Sequence, residues 1–238
     1  MKASFLVIGN NWGNKIYNIL LSLNLKVVKI NLKSPKKYTN ERDYLHHLRK
    51  QLNLFKKDYK IIWLAITPNK NHQFKIVKEC LNKKFNLVIE KPWLVSKKKT
   101  EELIKIQKKN NLLVGFHFEY LYLNFLKKNK LKFKNLASSV IFNFYVKDKK
   151  LKKIHKSDLG SHMLAIKKNY FINTKKYKIR TGFKKNLRNI IVKMKNKKLI
   201  HDFTHNKEDI IQRFIRDFLN KLKKKKKFQF DFNFIISK

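Results

Sequence analysis

The amino-acid sequence predicts an α/β protein in which a doubly wound parallel sheet is followed by a smaller α+β domain with a mostly antiparallel sheet. Up to Phe116, short apolar runs alternate with amphipathic helical patterns, which is typical of a parallel sheet with crossover helices. One of these runs, Ile61 to Ile66, is apolar throughout, as expected of a central strand that is covered on both faces. After about His117 the alternation gives way to segments that look like antiparallel strands.

Each element of the predicted parallel sheet follows from its local pattern. An apolar run that ends in Gly9 predicts a strand and a tight turn, and the spacing of apolar residues from Ile16 to Leu23 predicts a helix after them. Ser96 is placed to cap a later helix. The predicted strands are Ser4 to Gly9, Lys26 to Leu32, Ile61 to Ile66, Asn86 to Glu90 and Leu112 to Phe116. The later helices are Glu41 to Phe55, about Asn71 to Lys83, and Ser96 to about Lys109.

The second half of the chain predicts a separate α+β domain. We place the boundary so that the domains cover residues 1–117 and 118–238. A helix begins near Asp158, and an amphipathic helix covers Glu208 to Leu222. The predicted strands are Ala137 to Val146, Tyr177 to Gly182, Ile190 to Met194 and Leu199 to Phe203.

The composition favours a folded protein that attracts anions. Hydrophobic residues make up 43% of the chain, which is enough to form cores, and the formal net charge is +44. That charge raises the hypothesis of a nucleic-acid-binding protein. However, only six of the 59 basic residues are Arg, the side chain that base and phosphate recognition favours. We therefore interpret most of the charge as solvated surface that attracts anionic substrates and cofactors.

The cysteine count and the apolar runs indicate the compartment. Cys80 is the only cysteine, so an intrachain disulfide is excluded and a reducing environment is favoured. The start of the chain lacks the apolar core of a secretory signal, and no apolar run approaches the length of a membrane span. We expect a cytoplasmic protein without a membrane partner.

The first predicted turn is a candidate binding site for a pyrophosphate. Gly9 and Gly13 lie between the first strand and its helix, where backbone N–H groups and the helix dipole bind phosphate in a dinucleotide-binding Rossmann domain. The usual pattern has three glycines with the outer pair five residues apart, whereas here two glycines lie four apart with Asn10 and Asn11 between them. An ordinary turn after a core strand is the alternative.

The second predicted strand indicates which nicotinamide cofactor is preferred. The acidic residue that would bind a ribose 2′-hydroxyl is missing at its end, where Asn31, Lys33, Ser34 and Lys36 lie instead. Such residues suit a 2′-phosphate, so NADP is slightly preferred over NAD.

Two further strand ends and one helix carry candidate site residues. Thr67-Pro68-Asn69, followed by His72, and Glu90-Lys91-Pro92 both come after predicted parallel strands, where open α/β sheets bind ligands. The alternatives to ligand binding are a local hydrogen bond for His72 and a surface ion pair for Glu90 with Lys91. Asp158 and His162 are four residues apart and would share a helix face, where the carboxylate could orient the imidazole as a general base. The alternative is that Asp158 caps the helix and His162 is a packing residue.

Residues 61–116, with their ordered T-P-N-x-x-H, E-K-P and V-G segments, resemble the Gfo/Idh/MocA oxidoreductase family. SDLGSH at 157–162 is similar to the D-x-G-x-H segment of that family. The resemblance implies that Lys91 binds the reacting hydroxyl, His162 is the general base and Asp158 orients it. The implied cofactor-binding residues, together with those named at the second strand, are Gly9, Asn11, Trp12, Gly13, Lys33, Ser34, Thr67, Pro68, Asn69, His72, Glu90 and Pro92.

The resemblance also implies a function. It predicts an NAD(P)-dependent oxidoreductase that transfers hydride between a nicotinamide and a hydroxyl or keto carbon of a sugar, polyol or sugar nucleotide. Residues 1–117 would bind the dinucleotide, and residues 118–238 would form a shortened domain for substrate binding and homo-oligomerisation. We expect no metal ion and no specific nucleic-acid partner. A non-catalytic nucleotide- or sugar-binding protein of the same fold and a basic nucleic-acid-binding protein are the alternatives.

Overall fold

The chain folds into two compact units. The computed structural model describes residues 3–30, 41–65, 70–145, 155–182, 185–205 and 209–237, with the backbone alone for residues 41, 70, 71 and 155–159. The first unit contains Met1–His117 and Ile215–Lys238, and the second contains Phe118–Phe214. Among the described residues, no helix combines the length and the apolarity that a membrane crossing requires.

The first unit contains the predicted doubly wound parallel sheet, which is confirmed. Its strand order is β2-β1-β3-β4-β5, and every pairing is parallel. The strands are β1 (Ser4–Ile8), β2 (Lys26–Ile30), β3 (Ile61–Leu64), β4 (Asn86–Ile89) and β5 (Val114–Phe116). The helices between them are α1 (Trp12–Ser22), α2 (Glu41–Phe55), α3 (Lys70–Asn82) and α4 (Lys97–Lys109).

The strand order reverses between β1 and β3. The chain moves outward from β1 to β2 and then crosses back past β1 to form β3. All residues of β1 and β3 are buried, as expected of sequences that are apolar apart from Ser4. Ligands of open α/β sheets bind outside the carboxyl ends of the strands at such a reversal. The residues that follow these strands are therefore candidates for ligand binding.

The end of the chain, Ile215–Lys238, belongs to the first unit, although residues 118–238 were predicted to form a second domain. The backbone N–H of Phe116 in β5 donates to the carbonyl of Phe230 at 2.8 Å. Gly115 leaves room for this segment, since a Cβ there would lie 2.8 Å from the ring of Phe228 and 3.1 Å from that of Phe218. This long-range packing on β5 explains the difference from the predicted boundary. The segment contains the greater part of α8 (Ile210–Lys223) and all of α9 (Phe232–Ile236).

The second unit contains the predicted smaller α+β fold. Its sheet has the order β7-β6-β8-β9, with antiparallel β6–β8 and β8–β9 pairs. The strands are β6 (Ser139–Tyr145), β7 (Lys176–Gly182), β8 (Leu187–Met194) and β9 (Lys197–Asp202). The helices are a 3₁₀ helix (Glu119–Tyr122), α5 (Asn124–Lys128), α6 (Lys130–Leu136) and α7 (His155–Tyr170).

One pairing in this sheet differs from the sequence prediction. β7 was expected to be antiparallel, but it pairs with β6 in parallel. The reason is α7, which connects the end of β6 to the start of β7 and returns the chain to the end of the sheet where β6 began. The description of the sheet as mostly antiparallel is nevertheless confirmed.

Candidate functional site

The glycine loop, residues 9–13, lies at the carboxyl end of β1 beside the strand reversal. Gly9 has a φ of +136°, and a Cβ at this position would collide with the carbonyl oxygen of Ala65. A Cβ on Gly13 would lie 3.5 Å from the Cβ of Ala65 and 3.6 Å from Val7, which is ordinary van der Waals contact, so α1 begins close to the sheet. The N–H of Gly13 donates to the Asn10 carbonyl at 2.5 Å and closes the turn. Gly9 is therefore required by the backbone, whereas the position of Gly13 has room for a Cβ.

The start of α1 fits the pyrophosphate of a dinucleotide. A helix amino terminus carries partial positive charge and N–H groups that lack intrahelical acceptors, which attract a phosphate. No acidic residue occupies the first turn of α1 itself. The Cβ-free backbone at Gly9 leaves the loop unobstructed on the side of the strand. Gly9, Asn11, Trp12 and Gly13 stay the residues predicted to hold the phosphates.

A buried carboxylate connects this loop to three strands of the sheet. Glu90 follows β4 and is only 3% exposed. Its Oε1 atom accepts hydrogen bonds from Trp12 Nε1 at 2.7 Å and from Trp63 Nε1 at 2.9 Å, and lies 2.8 Å from His117 Nδ1. These four residues, here named the Glu90 cluster, bring together the start of α1, the strand β3 and the residues that follow β4 and β5.

The surroundings of Glu90 favour the ionised carboxylate. Burial alone raises the pKa of Glu90, but the charge and hydrogen bond of His117, the charge of Lys91 and the bond from Trp63 outweigh burial and lower it. An indole N–H can only donate, so both tryptophans require an acceptor at this position. The Glu90 cluster is therefore organised around a negative charge that lies inside the protein.

The segment that carries Lys91 is fixed by a buried glutamine. The peptide between Lys91 and Pro92 is cis. Gln73 in α3 donates from Nε2 to the Pro92 carbonyl at 2.8 Å and accepts from the Leu94 N–H at 3.0 Å. Lys91 is half-buried next to Glu90. The fold thus holds the ammonium-bearing residue at the carboxyl end of β4.

Five residues of this unit that were predicted to bind the cofactor lie outside the residues that the structure describes, so their assignments stay predictions. They are Lys33, Ser34, Thr67, Pro68 and Asn69.

His72 is described, in the first turn of α3. Its ring is half-buried and lies 6.4 Å, between centroids, from the ring of Tyr44 in α2. Its assignment to the nicotinamide side also stays a prediction.

In the second unit, His162 lies in an aromatic environment beside a carboxylate. Its side chain is 1% exposed on α7, and its Nε2 is 3.5 Å from Glu119 Oε1 in the 3₁₀ helix. The ring packs edge-on against Tyr120 at 4.7 Å and against Phe118 at 5.9 Å between centroids. The side chain of Asp158, the predicted partner, lies outside the described residues. Glu119 is thus the carboxylate that the described structure brings to this imidazole.

Tyr120 is held in turn by an arginine of β8. Arg188 Nη1 donates to the Tyr120 hydroxyl at 2.8 Å, and its guanidinium carbon lies 5.9 Å from the centre of the ring. The tyrosine ring is therefore fixed by a bond from Arg188 and by packing on His162. This arrangement restricts the orientations open to the imidazole.

Sequence reasoning missed the partners of the predicted residues. Trp63, His117 and Glu119 were not proposed for the site, and Trp12 was proposed only through the resemblance. One signal was available, because Glu90 and Glu119 are acidic residues within strongly apolar stretches, LVIEKPW and FHFEYLY. A carboxylate in such a context is buried, and a buried carboxylate needs partners.

No family model and no curated protein sequence matches the chain. Solved structures do match it. UDP-N-acetylglucosamine 3-dehydrogenase GnnA from Acidithiobacillus ferrooxidans aligns with a TM-score of 0.77 and 14% identity over 96% of this chain and 91% of that chain. Myo-inositol 2-dehydrogenase from Lactobacillus plantarum aligns with a TM-score of 0.72 and 11% identity over 98% and 93%.

A structure with bound ligands is also similar. The WlbA dehydrogenase from Thermus thermophilus, in complex with NAD and UDP-GlcNAcA, aligns with a TM-score of 0.69 and 11% identity over 92% of this chain and 88% of that chain. At these identities the alignments establish the fold. The chain has the fold of Gfo/Idh/MocA-type dehydrogenases, so the resemblance drawn from residues 61–116 is confirmed at that level.

Proposed function

We propose that this chain is an NAD(P)-dependent oxidoreductase that acts on a hydroxyl or keto carbon of a sugar, polyol or sugar nucleotide. One observation carries the proposal. The glycine loop after β1 and the Glu90-Lys91 segment after β4 lie at the same edge of the sheet, joined by the 2.7 Å bond from Trp12 to Glu90. The turn proposed to bind phosphate and the segment that carries Lys91 are thereby combined where this fold binds ligands. The substrate class comes from the dehydrogenases that share the fold.

In the proposed mechanism, the protein removes the proton of the alcohol and stabilises the charge that develops on its oxygen. The nicotinamide, when bound, supplies the hydride acceptor or donor. Lys91 hydrogen-bonds the reacting oxygen and stabilises the negative charge that develops as the proton leaves. His162 takes this proton at an imidazole nitrogen. Gln73 contributes indirectly, because its bond to the Pro92 carbonyl keeps the Lys91 segment in place.

Steady-state turnover tests the proposal. The protein is incubated with NAD⁺ or NADP⁺ and with UDP-N-acetylglucosamine, myo-inositol or galactose, and formation of reduced cofactor is followed. Lys91→Met and His162→Ala should each lower kcat by about 10²- to 10³-fold, the usual size of an electrostatic or acid–base contribution. The matched controls, Lys98→Met and His46→Ala, change exposed residues and should turn over like the parent. Parent-like turnover of either site variant would reject that residue's role.

A non-catalytic nucleotide-binding protein is the second candidate. It is favoured by one observation, the 1% exposure of His162 between the rings of Tyr120 and Phe118, which also suits a packing residue. Saturable cofactor binding without reduction by any substrate of the panel would support this second candidate. Substrate-dependent reduction that disappears in the His162→Ala variant would exclude it.

A further inference from the structure

The amino terminus of α1 has no side-chain cap. Asn11 is at the N-cap position with a φ of 32°, and its side chain makes no capping hydrogen bond. Caps of this type usually contribute about 1 kcal/mol to the start of a helix. The position of the first turn of α1, and with it that of the glycine loop, therefore depends on other contacts.

The indole of Trp12 provides such a contact. Trp12 is the first residue of α1, and its Nε1 donates to Glu90 Oε1 at 2.7 Å across 78 positions of sequence. Hydrogen bonds to an ionised carboxylate are roughly twice as strong as neutral ones. The acceptor is itself immobilised, because Trp63 and His117 bind the same oxygen atom. Glu90 is thus a fixed point to which the start of α1 is attached.

The ring of Trp12 is also held by its neighbours. The ring of His117 lies 6.3 Å away between centroids, tilted by 32°. The ammonium of Lys15, one turn further along α1, lies 4.7 Å from the centre of the indole. These contacts restrict the side chain to the orientation in which its N–H meets Glu90.

We propose that Trp12 is a positioning residue for the cofactor, which holds the glycine loop in its phosphate-binding geometry through the Nε1–Glu90 bond. The inference rests on the proposed function, since it assumes that a dinucleotide binds to this loop. It goes further in giving Glu90 an indirect role, because this carboxylate anchors the loop. It also connects the phosphate end of the site to the segment that carries Lys91.

Calorimetric titration of the full chain with NADPH and with NADH tests the proposal. Trp12→Phe keeps an aromatic ring and removes the N–H. It should raise the Kd about tenfold, equivalent to ~1.4 kcal/mol. Trp93→Phe is the matched control, because it also loses an indole hydrogen bond, to Thr100 Oγ1 at 3.0 Å, but leaves the loop unchanged. Its Kd should change less than about twofold.

The outcomes separate this inference from the proposed function. If the parent binds neither cofactor, the proposed function fails. If the parent binds and Trp12→Phe binds equally well, only the role of Trp12 is rejected. Hydrogen exchange on the parent provides a second measurement that needs no variant. Slow exchange in the first turn of α1 without cofactor supports a preformed loop, whereas protection that arises only with cofactor contradicts it.

Discussion

Replacement of Glu90 tests the energetics of the site in detail. Glu90→Gln keeps the size of the side chain and an oxygen acceptor, but it replaces charge-assisted hydrogen bonds by neutral ones. The Oε1 atom has three partners, Trp12, Trp63 and His117. If each interaction weakens by about 1 kcal/mol, the free energy of unfolding falls by about 3 kcal/mol. Glu90→Leu leaves the donors without an acceptor and should cost about 3–5 kcal/mol.

Urea unfolding followed by tryptophan emission measures this loss. All three tryptophans, at positions 12, 63 and 93, lie in the first unit, so the signal reports on the unit that contains Glu90. The matched control is Glu102→Gln, which alters the half-buried ion pair of Glu102 with Lys78 at 2.6 Å near the protein surface. A surface pair contributes about 0–1 kcal/mol. Equal unfolding midpoints for Glu90→Gln and the parent would refute the inferred role of the carboxylate.

The difference in unfolding free energy between the parent and Glu90→Gln should depend on pH in a defined direction. The pKa of Glu90 is lowered in the folded protein, so the ionised carboxylate stabilises the fold. This contribution is fully present above the unfolded-state value of about 4.3 and is lost as the pH falls through the lower folded value. The parent and Glu90→Gln should therefore differ by a constant amount near pH 6 and converge below about pH 4. A difference that grows on acidification would contradict the cause assigned to the shift.

Three further substitutions have defined outcomes. Gln73→Leu loses the 2.8 Å bond to the Pro92 carbonyl and should lower the unfolding free energy by about 2 kcal/mol and reduce turnover; a parent-like urea midpoint would contradict this. Gly9→Ala forces an alanine to a φ of +136° and should abolish cofactor binding in a calorimetric titration. In Gly160→Ala, the added Cβ on α7 meets no atom within 4 Å, so the variant should be more stable by about 0.5–1 kcal/mol. Thermal unfolding followed by circular dichroism should show a higher midpoint temperature.

Local patterns predicted most elements of the first unit. The helix expected at Glu41 to Phe55 has those bounds in the structure, because its apolar stripe has helical spacing. Ser96 caps α4 by accepting from the Lys99 N–H at 3.5 Å, as its position before a helical segment predicted. The apolar run from Ile61 forms the central strand β3. These features depend on neighbours in the sequence, which is why they could be read there.

The features that could not be predicted depend on distant parts of the chain. The return of the carboxyl terminus to β5 joins Phe116 to Phe230, and no local pattern specifies that pairing. The parallel pairing of β7 depends on the path of α7. In the site, a resemblance in sequence placed Lys91 and Glu90 after β4. The bonds that orient Glu90 come from Trp12, near the start of the chain, from Trp63 in β3 and from His117 after β5.

Binding of reduced nicotinamide tests the central claim most directly. Reduced nicotinamide absorbs light where tryptophan emits, and Trp12 lies in the glycine loop of the first unit. Addition of NADPH or NADH to the parent should therefore quench tryptophan emission in a saturable way and produce cofactor emission, with half-saturation below about 1 mM. Tryptophan emission that shows no saturable change with either cofactor up to that concentration would contradict the account.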